Sequence, residues 1–183
     1  MRESKKLRLL CLAALFAGAI AVTTAYLLHI PIPTGGYIHL GDALIYLAAC
    51  LLPAPYAVGA AMVGAGLADL LTAPLWVVPT LLIKAMVALL FTSRAPRLLC
   101  PRNGAAPLLA CLLSPAAYGP PASLLLGGVN AFWPQFLGTL VQAVGSWAAF
   151  TLLAVAPDRA GGKGRRAPHH HGCFLPPFAP PTG

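Results

Sequence analysis

The hydrophobic positions divide the chain into six apolar runs: residues 9–28, 41–52, 56–72, 75–92, 105–126 and 131–156. None shows a strong alternation or a narrow apolar stripe. Each is apolar nearly all round, as expected of helices surrounded by lipid or by one another. The breaks are marked by residues that stop helices. Pro53 and Pro55 follow the second run, Pro74 separates the third from the fourth, and Pro157 closes the sixth. Residues 29–40 hold Pro31, Pro33, Gly35 and Gly36 and read as a loop. Pro115, Pro120 and Pro121 fall inside the fifth run and predict that it is broken, freeing the carbonyls of Cys111, Ala116 and Ala117. The first run also fits a secretory signal cut near Ala25. Its length of about 20 residues is enough to span a bilayer, and a good A-x-A site is missing, so a retained helix is expected. Residues 157–183, rich in Gly, Pro and Arg, predict a disordered tail.

Composition narrows the class. The chain of 183 residues is 58 % apolar and 9 % charged, against roughly 25 % charged in a soluble domain. The expected fold is an all-α integral membrane protein, six transmembrane helices over residues 1–156. The formal charge of +8 does not indicate nucleic acid, because the bases cluster beside the apolar runs rather than over a groove-like surface. With six spans both termini share one side. Arg2, Lys5, Lys6, Arg8, Arg94, Arg97, Arg102, Arg159, Lys163, Arg165 and Arg166 then all face that side, and the opposite loops carry no Lys or Arg. The asymmetry predicts cytoplasmic termini.

One base and two of the four acids remain inside the runs: Asp42, Asp69 and Lys84. A charge in hydrocarbon costs several kcal/mol unless paired or hydrated. Asp42 and Asp69 fall near the outer face, and Lys84 about 13 Å below it along the fourth span. Its ammonium can reach up toward them, with Thr80 one turn above. In the sixth span Gln135, Thr139, Gln142 and Ser146 repeat on one helical face, with Asn130 and Trp133 at its outer end. These residues predict a polar pocket open to the outside, with Tyr37 and His39 of the first loop as further contacts. A helix-stapling role for the charges, and a belt position for Trp133, are the competing structural readings. Ala13, Ala17, Ala21 and Ala25 form a smooth stripe on the first helix, suited to close helix contact within this chain or with a partner.

Signals for chemistry are missing. No H-E-x-x-H or G-x-S-x-G occurs, and Gly161-Gly162-Lys163 fails as a phosphate loop because Pro157 and Gly164 occupy required positions. No cofactor or metal is expected; His169 to His171 with Cys173 do not have the spacing of a tetrahedral site. The five cysteines form no C-x-x-C pair and read as small buried hydrophobes.

The run Pro33-Thr-Gly-Gly-Tyr-Ile-His-Leu-Gly-Asp-Ala-Leu-Ile-Tyr-Leu-Ala-Ala, with Gly-Leu-Ala-Asp-Leu-Leu at 66–71 and Pro-Thr-Leu-Leu-Ile-Lys-Ala at 79–85, resembles the substrate-binding S components of energy-coupling factor (ECF) transporters, the riboflavin-type group above all. The resemblance implies a six-helix subunit of the bacterial cell membrane. It would bind a water-soluble vitamin or precursor from outside and partner a T component and two ATPase subunits. It also implies that the first loop gates the pocket, and that Ala13, Ala17 and Ala21 contact the T component. Two other classes stand beside this reading. One is a structural membrane protein; the other is a membrane enzyme using Asp42 and Asp69 as metal ligands, which lacks the close acid spacing it would need.

Overall fold

The computed structural model describes residues 2–27, 29–31 and 37–160, apart from the side chains of Arg2 and Tyr37. The tail with His169 to His171 and Cys173 lies outside the described residues. Six helices follow one another: α1 (Arg2–Tyr26), α2 (Gly41–Leu51), α3 (Ala54–Thr72), α4 (Val77–Leu90), α5 (Pro101–Leu125) and α6 (Phe132–Arg159). Short 3-10 turns at Pro74–Trp76 and Val129–Ala131 lead into α4 and α6. The first loop contains a small antiparallel ribbon, β1 (Ile30–Pro31) on β2 (Tyr37–Ile38), in which Ile30 faces Ile38 and Pro31 faces Tyr37.

Among the described residues four helices are long and apolar enough to cross a membrane: Glu3–Tyr26, Ala54–Thr72, Pro101–Leu125 and Val129–Arg159. The other two are shorter. Pro53 stops α2 after 11 residues, about 16 Å at 1.5 Å per residue, or half of a bilayer core. The reason this short helix is apolar all round is its position. It packs against α1, α3, α4 and α6, and eight of its residues, Asp42 and Tyr46 among them, are buried.

Helix α1 lies along α3. A Cβ on Gly64 would sit 2.7 Å from the carbonyl oxygen of Ala17 and 2.8 Å from Cβ of Ile20, so glycine is what lets the two backbones approach. Ala17 is buried in this contact, and Ala13 packs against the core beside it. Ala17 of the alanine stripe thus serves packing inside the chain, while Ala13 and Ala21 are half-buried.

The expected break in α5 is not found. The helix runs through Pro107, Pro115, Pro120 and Pro121. Each proline removes one N–H, yet with no water to take over the remaining backbone bonds an apolar helix keeps them and bends rather than stops. Likewise α6 continues past Pro157 to Arg159, because Asp158 has a structural task. Its carboxylate accepts the N–H groups of Leu98 and Leu99, both at 2.8 Å. At this same end Asn103 receives the Thr92 N–H at 2.8 Å and donates to the carbonyls of Thr92 and Leu98. Arg102 donates to the carbonyls of Leu90 and Leu89 at the end of α4. The basic end of the bundle is therefore tied by side chains, with Arg94, Arg97 and Arg159 around it. Cys50 and Cys111 are buried thiols as expected; Cys11 is exposed and Cys100 is disulfide-bonded, neither of which the sequence anticipated.

Candidate functional site

At the end of the bundle away from these bases, three helices meet through one polar cluster. Lys84 Nζ of α4 donates to both oxygens of Asp42 in the first turn of α2, at 2.7 and 2.8 Å. Gln142 Nε2 of α6 donates to Asp42 Oδ2 at 3.0 Å. Asp42 and Lys84 are each 1 % exposed, so the pair is stable only because three donors satisfy the carboxylate. Asp42 also sits where the dipole of α2 favours a negative charge. The turn that delivers it is tight. Gly41 donates its N–H to His39 Nδ1 at 3.0 Å, and a Cβ on Gly41 would collide with the hydroxyl of Thr24. Burial lowers the His39 pKa from 6.5 to about 4, against the opposing pull of Asp42. The imidazole is neutral, which agrees with Nδ1 acting as an acceptor.

Next to the cluster lies a cavity. His39 and Asp69 line it from the first loop and α3, Trp76 and Thr80 from the start of α4, Tyr118 from α5, and Gln135, Thr139 and Gln142 from α6. The Thr80 and Tyr118 hydroxyls are hydrogen-bonded at 2.8 Å. Gln135 Nε2 donates to Thr139 Oγ1 at 3.2 Å. The Trp76 and Tyr118 rings stand 5.9 Å apart at 60°, and Lys84 Nζ lies 5.5 Å from the centre of the Tyr118 ring. The space is about 30 Å³, room for water but not for a ring-bearing ligand, whose pockets usually run from about 300 Å³ upward.

Six of the residues singled out from sequence are in the cavity wall: His39, Asp69, Thr80, Gln135, Thr139 and Gln142. Asp42 and Lys84 are not among its lining residues. They brace Gln142 from behind, and the partner of Lys84 is Asp42 where the sequence left Asp69 equally open. Asn130 and Trp133 are not among the residues that line the cavity. Both are exposed, Trp133 by 61 %: Asn130 lies in the 3-10 turn before α6, and Trp133 is on the side of α6 away from Gln135. Trp133 packs edge-on to Phe132 at 5.3 Å and Phe136 at 5.9 Å, an aromatic group of the kind found at a membrane interface. The Tyr37 side chain lies outside the described residues. Trp76 and Tyr118 were missed. Trp76, Thr80 and Lys84 recur at four-residue steps on one face, so the signal for Trp76 was present; Tyr118 was hidden by reading α5 as broken. Among the described residues no three His, Cys, Asp or Glu side chains converge on a metal position.

A family model for the ECF-type riboflavin transporter S component matches residues 4–112. The chain belongs to this family. No curated protein matches it. As an S component it is the substrate-binding membrane subunit of a transporter, a multi-pass protein of the cell membrane and not an enzyme. The matched segment covers α1 to α4 and ends inside α5. Tyr118, Gln135, Thr139 and Gln142 of this S component therefore lie beyond it.

Proposed function

We propose that this S component captures riboflavin, or a similar vitamin or precursor with a planar polar ring, from outside the cell. It delivers the ligand through a T component powered by two separate ATPase subunits. The observation that carries the reading is the cavity at the end opposite the arginines, where Asp69, Thr80, Tyr118, Gln135, Thr139 and Gln142 surround a small polar space. Acceptors and hydroxyls suit a heterocycle with several polar edges, and Trp76 with Tyr118 supply aromatic faces for its plane. The family match supports the substrate class and the partners. Since α3 covers Ala17, the T component is expected on the outward face of α1, where Leu15, Gly18 and Val22 are exposed.

Extraction of the purified, detergent-solubilised protein and mass spectrometry of what it carries tests this directly, followed by titration with riboflavin. Trp76→Ala should weaken binding at least about 10-fold through lost stacking, and Trp133→Ala should leave it unchanged. A protein that carries no vitamin-like compound and binds no riboflavin refutes the reading.

A further inference from the structure

Gln142 stands between the ion pair and the cavity. It lines the cavity, is 5 % exposed, and its Nε2 donates to Asp42 Oδ2 at 3.0 Å. Asp42 decides which end of this amide looks inward. Lys84 donates to both Asp42 oxygens, so the group is a carboxylate and can only accept. A Gln142 carbonyl turned toward it would set acceptor against acceptor. The amide is therefore locked with its NH2 on Asp42, and Oε1 has no hydrogen-bond partner among the described residues. It is the end left for the cavity. Asp69 places a carboxylate in the same wall, while the Gln135 amide is turned to Thr139. The cavity thus offers acceptors at α3 and α6.

We infer that Gln142 determines specificity by requiring an N–H or O–H donor from the ligand at its Oε1, and that Asp42 and Lys84 are positioning residues that fix this polarity. The inference rests on the proposed function and sharpens it. It also gives the buried ion pair a purpose beyond cohesion, since an apolar pair of similar volume would pack as well but would leave the Gln142 amide free to turn over. A site built around one hydrogen bond rejects a ligand lacking its partner, because the buried oxygen is then left unpaired. In a flavin the donor has two sources, the imide N–H of the ring or a hydroxyl of the sugar-alcohol chain.

The test titrates the purified full chain with riboflavin, with riboflavin methylated at its imide nitrogen, and with lumiflavin, which keeps the ring and lacks the hydroxylated chain. Quenching of flavin fluorescence reports binding. One analogue should bind the unaltered protein about 10- to 100-fold more weakly than riboflavin. A penalty on the methylated compound assigns the donor to the ring, and one on lumiflavin to the chain. Gln142→Met keeps the length without the polarity and should erase most of that difference. Asp42→Asn, which can donate as well as accept, should narrow it by releasing the amide, and it carries the test if Gln142→Met does not fold. A merely structural role would lower affinity for all three flavins in proportion. Equal affinity of the unaltered protein for the three, or a penalty that persists in the variants, overturns the inference and leaves the proposed function standing. Binding of none of the three overturns both.

Discussion

Replacing Lys84 with methionine removes the ammonium and keeps most of the stem, so the perturbation is electrostatic rather than a cavity. Two hydrogen bonds, at 2.7 and 2.8 Å, are lost. Asp42, 1 % exposed, keeps only the Gln142 amide. A buried carboxylate stripped of its partner costs about 3–5 kcal/mol. At about 2–4 °C per kcal/mol for a chain of this size, thermal unfolding should fall by about 6–20 °C. The double variant Lys84→Met with Asp42→Asn removes both charges while keeping an acceptor for Gln142, and should return to within about 1 kcal/mol of the parent. Unfolding in detergent can be followed with a thiol-reactive dye, because Cys50 and Cys111 are buried thiols. The reasoning fails if the single variant melts with the parent. It fails equally if the double variant is as unstable as the single, since charge would then not be the cause.

Two further perturbations probe the frame. Gly64→Val puts a branched side chain where even a Cβ meets the Ala17 carbonyl at 2.7 Å; backbone cannot rotate away, so a loss of about 1–3 kcal/mol or more and poor recovery of monodisperse protein are expected. His39 sets a pH dependence. Its folded pKa of about 4 lies below the ordinary 6.5, so the unfolded chain binds the extra proton between these values. The stabilisation is complete above 6.5 and is lost as pH falls toward 4, by about 1–3 kcal/mol. His39→Asn offers an oxygen to the Gly41 N–H without titrating, so its melting temperature should be flatter over that window; an unchanged slope would assign the dependence elsewhere.

How much of this was legible in the sequence depended on whether a signal was local. Apolar runs, prolines and clustered arginines marked the six helices and their common basic end, because lipid imposes one rule on every span. The polar face of α6 was legible for the same reason, and Gln135, Thr139 and Gln142 are in the wall. Errors arose where the outcome depended on packing. The choice between Asp42 and Asp69 as partner of Lys84 turns on how α2 is inserted among its neighbours, which no spacing encodes. The alanine stripe fits α3 or a foreign helix equally well, and only the close approach of Gly64 on α3 shows that Ala17 packs within the chain. Asn130 precedes α6 in the 3-10 turn, and Trp133 stands about 200° around the helix from Gln135, so neither shares the polar face. The cost of proline in a water-exposed helix overstates its power to end a helix in lipid.

A cavity of about 30 Å³ must widen to admit a ring, and the bonds around it are unequal. Parting α2 from α4 or α6 would break the Asp42 cluster, at about 3–5 kcal/mol. Parting α5 from α4 at the cavity breaks the neutral Thr80 to Tyr118 hydroxyl pair, worth about 0.5–1.5 kcal/mol, and the contact of Lys84 Nζ with the Tyr118 ring, worth about 0.5–2 kcal/mol. Tyr118 is also bracketed by Pro115, Pro120 and Pro121, each of which deletes a backbone hydrogen bond and makes bending there less costly. The opening is therefore expected on the α5 side, with Tyr118 moving away from Trp76 while α2, α4 and α6 stay together. Restoring the missing donors in Pro120→Ala with Pro121→Ala should stiffen this segment. Flavin association in stopped-flow should then slow several-fold, with thermal stability equal or higher. An unchanged association rate in a folded double variant would rule out α5 as the moving wall, and the ribbon of the first loop would become the gate to test.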